Sequence, residues 1–283
     1  MVDQFNTPWR IASAAIYTTP TDSRVYGTLD IDVTDALEFV KSQRRGGIKM
    51  TMVHVTVAAL ARAVAFDVPE INCFIRRGGV VARDHLDVMI PVAMDGEGVT
   101  SVIVQDAHAR TIASITKEIA EKAPSARGGA ENKAAKNKYV LNHIPWPFRR
   151  PVFRLIKWIT VDMGIEIKGL GLNESSFGSI VLSDIGSHGL TTGMTALLPA
   201  AKVPAVIVLG KIEEKPVVRK GSITTRMIMP MTGTFDHRIV DGAQIGRLAR
   251  SIKRNLRKPE WLDTIPYDEL GSCMVNIREQ PEQ

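Results

Sequence analysis

The sequence predicts an α/β (α+β) domain with a large mixed β-sheet flanked by helices. Residues 24–33 alternate between apolar and polar side chains, as a half-buried strand does. Residues 111–123 carry isoleucines at helical spacing, and residues 226–235 are largely apolar, as in a buried strand. Strands interspersed with helices along one chain indicate a domain with one large sheet.

Two helices are expected after the first strand. Thr34 is predicted to cap a helix that runs to about Arg45, where two glycines end it. Residues 51–67 repeat apolar side chains at helical spacing, and Pro69 closes this second helix.

The middle of the chain predicts further strands. Residues 72–93 are expected to form strands with a hairpin turn at Gly78-Gly79, and another strand is expected at 99–105. After the helix at 111–123, residues 124–138 are rich in lysine, alanine, glycine and asparagine, which favours a loop or linker.

A helix is predicted directly after the strand at 226–235. Asp241 is the expected N-cap, and Pro259 stops the helix. One face of this helix is apolar, at Ile245, Leu248, Ala249, Ile252 and Leu256. His237 therefore falls in a strand-to-helix turn, where side chains commonly face a cleft.

Composition and charge narrow the class of protein. Hydrophobic residues make up 45% and charged residues 23%, which is typical of a soluble globular protein. The net charge is +6, but residues 124–160 alone hold eight basic residues and one acidic residue. Because the charge is local and no nucleic-acid motif is present, we expect no nucleic-acid partner.

The remaining composition favours a cytoplasmic setting. Two cysteines, Cys73 and Cys273, predict no disulfide framework. The first ten residues contain no apolar core of a signal peptide, and no apolar run reaches the roughly 18 residues of a spanning helix. The spacing His237-x-x-x-Asp241 can hold a metal, but a third ligand is not evident, so no metal is expected.

His237 is the candidate catalytic residue. An imidazole near its ordinary pKa accepts a proton at neutral pH if it is held in one tautomer. The simpler interpretation is that Asp241 only caps the helix and His237 is a surface residue nearby.

The wider sequence around His237 resembles a known family. Residues 234–242, which contain His237, Asp241 and Gly242, resemble the signature of the dihydrolipoamide acyltransferase core of 2-oxo-acid dehydrogenase complexes. That core is similar to chloramphenicol acetyltransferase. Residues 177–186 and 203–210 resemble two further strands of the family. The resemblance runs from about residue 9 to residue 261 and is weakest between 124 and 172.

The resemblance implies a single acyltransferase catalytic domain over 1–283, chloramphenicol acetyltransferase-like in fold, with an insertion at about 124–172. It implies coenzyme A as a substrate and a thiol acceptor of the dihydrolipoamide type. It also implies a homotrimer, or a larger cage of trimers. The chain looks like a stand-alone form without a lipoyl domain, so no covalent lipoyl group is expected on it, and a lipoyl-bearing partner protein would supply the acceptor.

The resemblance also implies roles for four residues. His237 removes the thiol proton, and the Ser183 hydroxyl stabilises the oxyanion; alternatively, Ser183 is a turn residue whose hydroxyl is satisfied locally. Asp241 stabilises the turn around His237 through an arginine, for which Arg10 is the candidate. His188 stands where the family usually has an apolar aromatic residue; it could line the acyl pocket or face solvent, and we expect the second.

Two other functions remain open at the level of sequence. The acceptor could be unrelated to lipoate, or the chain could be a non-catalytic oligomeric scaffold of the same fold. Release of thiol from acyl-coenzyme A in the presence of dihydrolipoamide separates an enzyme from a scaffold.

The basic, aromatic stretch at 146–158 is longer than the family core requires. One interpretation is a helical insertion packed on its own subunit or a neighbour; another is a helix lying on an anionic membrane. Because Pro145, Pro147 and Pro151 are expected to break residues 139–160 into short pieces, we expect packing on protein and no contact with a membrane surface.

Overall fold

The computed structural model describes residues 23–93, 99–128, 145, 148–165, 177–197 and 202–264. The strands are β1 (Arg24–Asp32), β2 (Cys73–Arg76), β3 (Gly79–Ala82), β4 (Val88–Ala93), β5 (Val99–Val104), β6 (Ile180–Asp184), β7 (Ala205–Leu209), β8 (Glu213–Arg219) and β9 (Ser222–Asp236). The helices are α1 (Thr34–Arg45), α2 (Met52–Phe66), α3 (Ile112–Arg127), α4 (Arg149–Lys157), α5 (Gly242–Arg257) and α6 (Trp261–Thr264). A π-helical turn, Trp158–Asp162, continues α4.

Within the described residues, seven strands form one mixed sheet in the order β1-β9-β7-β6-β4-β5, and β8 pairs with the free part of β9. β6 runs parallel to β4 and β7, whereas β9 runs antiparallel to β1, β7 and β8. Strands β2 and β3 form a separate hairpin. A large mixed sheet flanked by helices was predicted from the sequence, and the structure confirms it.

The two faces of the sheet are covered differently. The main core lies on one face, where the apolar sides of α1, α2, α3 and α5 pack, and α2 is buried on almost every side. The other face carries a smaller apolar cluster, composed of Met89, Val181, Val203, Val206 and Val208. The face opposite the helices is less fully covered, so side chains there are more available to form a functional site.

Three local predictions are wrong. Thr34 is the first residue of α1 and not its cap, because its hydroxyl donates to Asp32 Oδ1 (2.7 Å) and accepts from the N–H of Met227 (3.1 Å). Helix α3 continues past Pro124 to Arg127. The hairpin turn is at Arg77-Gly78, where both residues have left-handed φ (49° and 80°), because Gly79 already belongs to β3.

The segment that begins at Pro145 also differs from expectation. Pro145 precedes α4, and Pro151 lies in its first turn, where a missing N–H is tolerated. Helix α4 and the π-helical turn therefore run without a break over 149–162. In the part of the chain that the structure describes, no helix combines the length and the apolar character needed to cross a membrane.

Candidate active site

His237 lies in the exposed turn that joins β9 to α5. Its backbone N–H donates to the carbonyl of Ser23 (2.8 Å), which anchors the turn to the chain entering β1. The N–H groups of Ile239 and Val240 donate to the carbonyl of Asp236 at 3.0 and 3.2 Å. Because the side chain itself is exposed, backbone hydrogen bonds rather than packing set the position of His237.

The same turn fixes the chemistry of the imidazole. His237 Nδ1 lies 3.0 Å from the carbonyl oxygen of Val240. A carbonyl can only accept, so Nδ1 carries the hydrogen of the neutral ring. Nε2 is then left with its lone pair free, which is the state required of a general base.

Asp241 caps α5, as the sequence predicted. Its Oδ1 accepts from the N–H of Ala243 (2.8 Å), and its own N–H donates to Gln244 Oε1 (3.0 Å), which makes a capping box. The Val240 carbonyl that contacts His237 belongs to the residue directly before this cap. Among the described residues no arginine contacts Asp241, and Arg10 lies outside them.

An ion pair that the sequence analysis missed flanks His237. Asp236 is 7% exposed, and its Oδ1 accepts from both the backbone N–H (3.0 Å) and Nε (2.9 Å) of Arg238. Burial acts to raise the pKa of the Asp236 carboxyl, but the hydrogen bonds and charge of Arg238 outweigh it and hold that pKa below its ordinary value. The signal available in the sequence was the acidic Asp236 and the basic Arg238 on either side of His237.

Ser183 lies near the end of β6 and is half-buried. Ile180 and Leu182 point into the main core, so Ser183 lies with Val181 on the face opposite the helices. Its hydroxyl has no hydrogen-bond partner among the residues that the structure describes. The turn after β6 is held instead by Asp184, whose carboxylate accepts from the N–H of Ser187 (3.3 Å).

One chain does not bring Ser183 and His237 together. Ser183 is level with Val208 on β7, which is level with Thr232 on β9. From Thr232 to His237 the strand advances about 16 Å, and two strand spacings add about 10 Å sideways, so the two residues are about 19 Å apart. A single acyl group cannot contact both side chains of the same chain.

A cleft of about 850 Å³ borders the His237 turn on the side of Ser23 and Asp236. Its basic lining residues are Arg24, Arg77, Lys202 and Arg238, and its acidic ones are Asp162 and Asp236. Lys202 pairs with Asp162, and Arg238 pairs with Asp236. Arg77 is exposed at the rim. The lining is net basic, which suits an anionic ligand.

Two further described histidines, His188 and His54, form no hydrogen bond with the His237 turn. His188 is exposed in a short 3₁₀ turn after β6. His54 is buried at the start of α2, where Nδ1 accepts from the N–H of Thr51 (3.2 Å), and burial lowers its pKa to about 4. In the described ranges, no cluster of three or more histidine, cysteine, aspartate or glutamate side chains could hold a metal ion.

Comparison with known families places the chain. A family model described as 2-oxoacid dehydrogenases acyltransferase (catalytic domain) matches residues 11–135 and 165–263. The chain belongs to this family. The matched ranges include β6 with Ser183 and the turn with His237, whereas residues 136–164 fall between them.

Curated relatives carry acyltransferase names. The dihydrolipoyllysine-residue acetyltransferase component of the Staphylococcus aureus pyruvate dehydrogenase complex is 27% identical over 218 residues, covering 76% of this chain and 41% of that protein. The lipoamide acyltransferase component of the Pseudomonas putida branched-chain alpha-keto acid dehydrogenase complex is 26% identical over 243 residues, covering 82% and 46%. The chain thus spans less than half the length of these relatives.

Solved structures of the family share the fold. A probable dihydrolipoamide acetyltransferase from Listeria monocytogenes superposes with a TM-score of 0.63 at 18% identity, covering 86% of both chains. The cubic core of a pyruvate dehydrogenase multienzyme complex gives 0.63 at 16%, covering 86% of this chain and 84% of that one. The dihydrolipoamide acetyltransferase of Azotobacter vinelandii gives 0.62 at 16%, covering 84% and 83%.

Proposed function

We propose that this protein is a coenzyme A-dependent acyltransferase that moves an acyl group between a thioester and a thiol acceptor of the dihydrolipoamide type. The observation that carries the proposal is the contact of His237 Nδ1 with the Val240 carbonyl (3.0 Å), which leaves Nε2 free in an exposed turn. Membership of the acyltransferase family and the lipoamide-related names of the relatives support the same chemistry.

In the proposed reaction, His237 Nε2 takes the proton of the attacking thiol. The thiolate forms a carbon–sulfur bond with the thioester carbonyl carbon, whose π electrons move to oxygen. Collapse of this tetrahedral oxyanion expels the other thiolate, which takes the proton back from the imidazolium. No proton is gained or lost overall, as thiol exchange requires.

Ser183 is the proposed donor to the oxyanion. A preorganised donor of this kind typically lowers the activation barrier by about 3 kcal/mol. Because Ser183 and His237 of one chain are far apart, we place the site between two chains of a homotrimer or a larger cage of trimers. A closed ring lets every copy give its Ser183 end to one neighbour and its His237 end to the other. The likeness to a chain of a cubic core is in keeping with such an assembly.

Asp241 and Arg10 are proposed to hold the His237 turn together. The bond from the Ala243 N–H uses Oδ1 of Asp241, and the other carboxylate oxygen is proposed to meet the arginine. The Azotobacter vinelandii relative has been analysed for the catalytic roles of a serine, a histidine and an asparagine. This chain has Ser183 and His237, and the acidic Asp241 follows His237 by four residues in the sequence.

The net basic cleft beside His237 is the proposed approach for acyl-coenzyme A. Its thioester end would reach the turn, while the phosphates would lie near the exposed cation of Arg77.

The test is thiol release from acyl-coenzyme A. Purified protein is given acetyl-, branched-chain or succinyl-coenzyme A together with dihydrolipoamide, and free coenzyme A is measured. Catalysed release that requires dihydrolipoamide supports the proposal. Release that occurs only with a thiol other than dihydrolipoamide would point to an acceptor unrelated to lipoate. No release with any combination of acyl-coenzyme A and thiol would identify a non-catalytic scaffold.

A further inference from the structure

Helix α4 presents an apolar stripe outward. Phe148, Leu155 and Trp158 are 60%, 55% and 53% exposed, and Pro151 is also exposed. Their spacing over the continuous helical run from 148 to 158 places all four on one side of the helix. We call these four residues, with the exposed Arg154 beside them, the α4 surface.

The α4 surface is uncovered by the rest of the described chain. Apart from the π-helical turn that continues it, α4 has no extended contact with another described helix or strand. Its C-terminal end is tied to the body of the domain, because Asp162 pairs with Lys202, whose Nζ also donates to the carbonyl of Ile75 (2.7 Å). The helix is thus fixed at one end with its apolar stripe exposed, and Trp158 at that end also lines the cleft beside the His237 turn.

In the sequence, the charged residues of the α4 segment all have one sign. Between Glu131 and Asp162 the sequence contains basic residues and no acidic one. Those on α4 are Arg149, Arg150, Arg154 and Lys157. Aromatic and aliphatic side chains combined with arginine and lysine on one short helix are the composition of helices that lie in a membrane interface.

We propose that the α4 surface docks on an anionic lipid bilayer. The stripe would enter the boundary between headgroups and acyl chains, while the neighbouring cations meet lipid headgroups. The core of a protein interface is usually depleted of charge, and a symmetric contact between two copies of α4 would bring like charges together. A contact of α4 with a different face of a neighbouring copy is distinguished by the sedimentation mass measured below. The segment also lies outside the family match, so an interface shared across the family does not account for it.

This proposal reverses the expectation from sequence of packing on protein alone. That expectation rested on prolines breaking the segment, and the helical run over 149–162 removes its basis.

The test is co-sedimentation of the full-length protein with vesicles. We expect at least about tenfold stronger binding to phosphatidylcholine vesicles that contain phosphatidylserine than to phosphatidylcholine alone, weakening as salt rises. The double variant Phe148→Ser/Leu155→Ser should lose binding, and Arg154→Glu should weaken it about tenfold. Thermal melting shows whether each variant is folded.

A matched control comes from the β8–β9 hairpin, where Val218 and Ile223 are 73% and 79% exposed. The variant Val218→Ser/Ile223→Ser removes similar apolar surface and should bind vesicles like the wild type. Absent binding, equal binding to neutral vesicles, or wild-type binding by the α4 variants overturns the proposal. So does a change in sedimentation mass for the α4 variants without lipid, since the surface would then cover another copy.

Discussion

The His237 end and the Ser183 end of the sheet are organised in opposite ways. At the His237 end, the backbone of the turn, the imidazole Nδ1 and the capping carboxylate all have partners within the same chain. At the other end, the Ser183 hydroxyl has none among the described residues. A single chain therefore supplies a proposed base that is already positioned and a proposed donor whose hydroxyl has no partner among the described residues.

This difference is the reason we propose that one chain does not form a complete site. The strand register puts the two ends about 19 Å apart, so neither end can serve the other within a chain. In the proposed site, two copies arranged end to end would supply both groups to one acyl group, and the variants below test each end separately.

The largest effect is expected at the positioned end. Replacing His237 with alanine removes the base, and we expect kcat/KM for thiol release to fall about 10²–10⁴-fold with the fold intact. The matched control is His188→Ala, which removes an exposed histidine near the other end and should leave the rate near that of the wild type. A His237→Ala protein with more than about a tenth of the wild-type rate would contradict the role of general base.

The Ser183 end should show a somewhat smaller effect, confined to turnover. An oxyanion donor acts on the transition state, so Ser183→Ala should lower kcat about 10²–10³-fold with little change in KM. Ser187→Ala, which alters the neighbouring turn, serves as the control. Unchanged turnover in Ser183→Ala would assign this serine to a structural role.

A third test concerns the proposed Asp241–Arg10 pair. Asparagine caps helices as well as aspartate, so Asp241→Asn keeps the start of α5 but loses the charge. We expect Asp241→Asn and Arg10→Gln each to lower kcat/KM about tenfold, and the double variant to be no worse than either, as for residues in contact. Additive losses would mean that the two residues act independently.

The smallest effect is expected in the cleft. Arg77 and Lys220 both have left-handed φ of 49° in two-residue hairpin turns, and each precedes a glycine. Asparagine tolerates this conformation, so Arg77→Asn and Lys220→Asn form a matched pair. We expect Arg77→Asn to raise KM for acyl-coenzyme A several-fold with kcat unchanged, because it removes a binding contact made equally in the ground state and the transition state. An equal rise in KM in Lys220→Asn would mean that the effect comes from the overall charge of the protein and not from the cleft.

The sequence was sufficient where local rules decide the structure. Helix α5 begins and ends as expected because Asp241 caps it and its apolar spacing is regular over 242–257. It was insufficient where a distant residue competes. The Thr34 hydroxyl donates a hydrogen bond to Asp32 and accepts one from the N–H of Met227 on β9. No local sequence pattern reveals the second of these contacts.

The candidate site divides in the same way. The turn around His237 is local and could be recognised from its motif. The Asp236–Arg238 pair also lies in that motif, but its importance depends on the burial of Asp236 beneath Ser23, which only the folded chain defines. The separation of Ser183 from His237 follows from strand order and register, which the sequence does not reveal.

Mixing two inactive variants tests the shared site most directly. His237→Ala and Ser183→Ala proteins are dissociated together, reassembled in equal amounts and assayed for thiol release. With random assembly, about a quarter of the contacts join an intact His237 to an intact Ser183, so activity should return to about a quarter of the wild-type value. No recovery, with mixed oligomers shown to form, would contradict a site built from two chains.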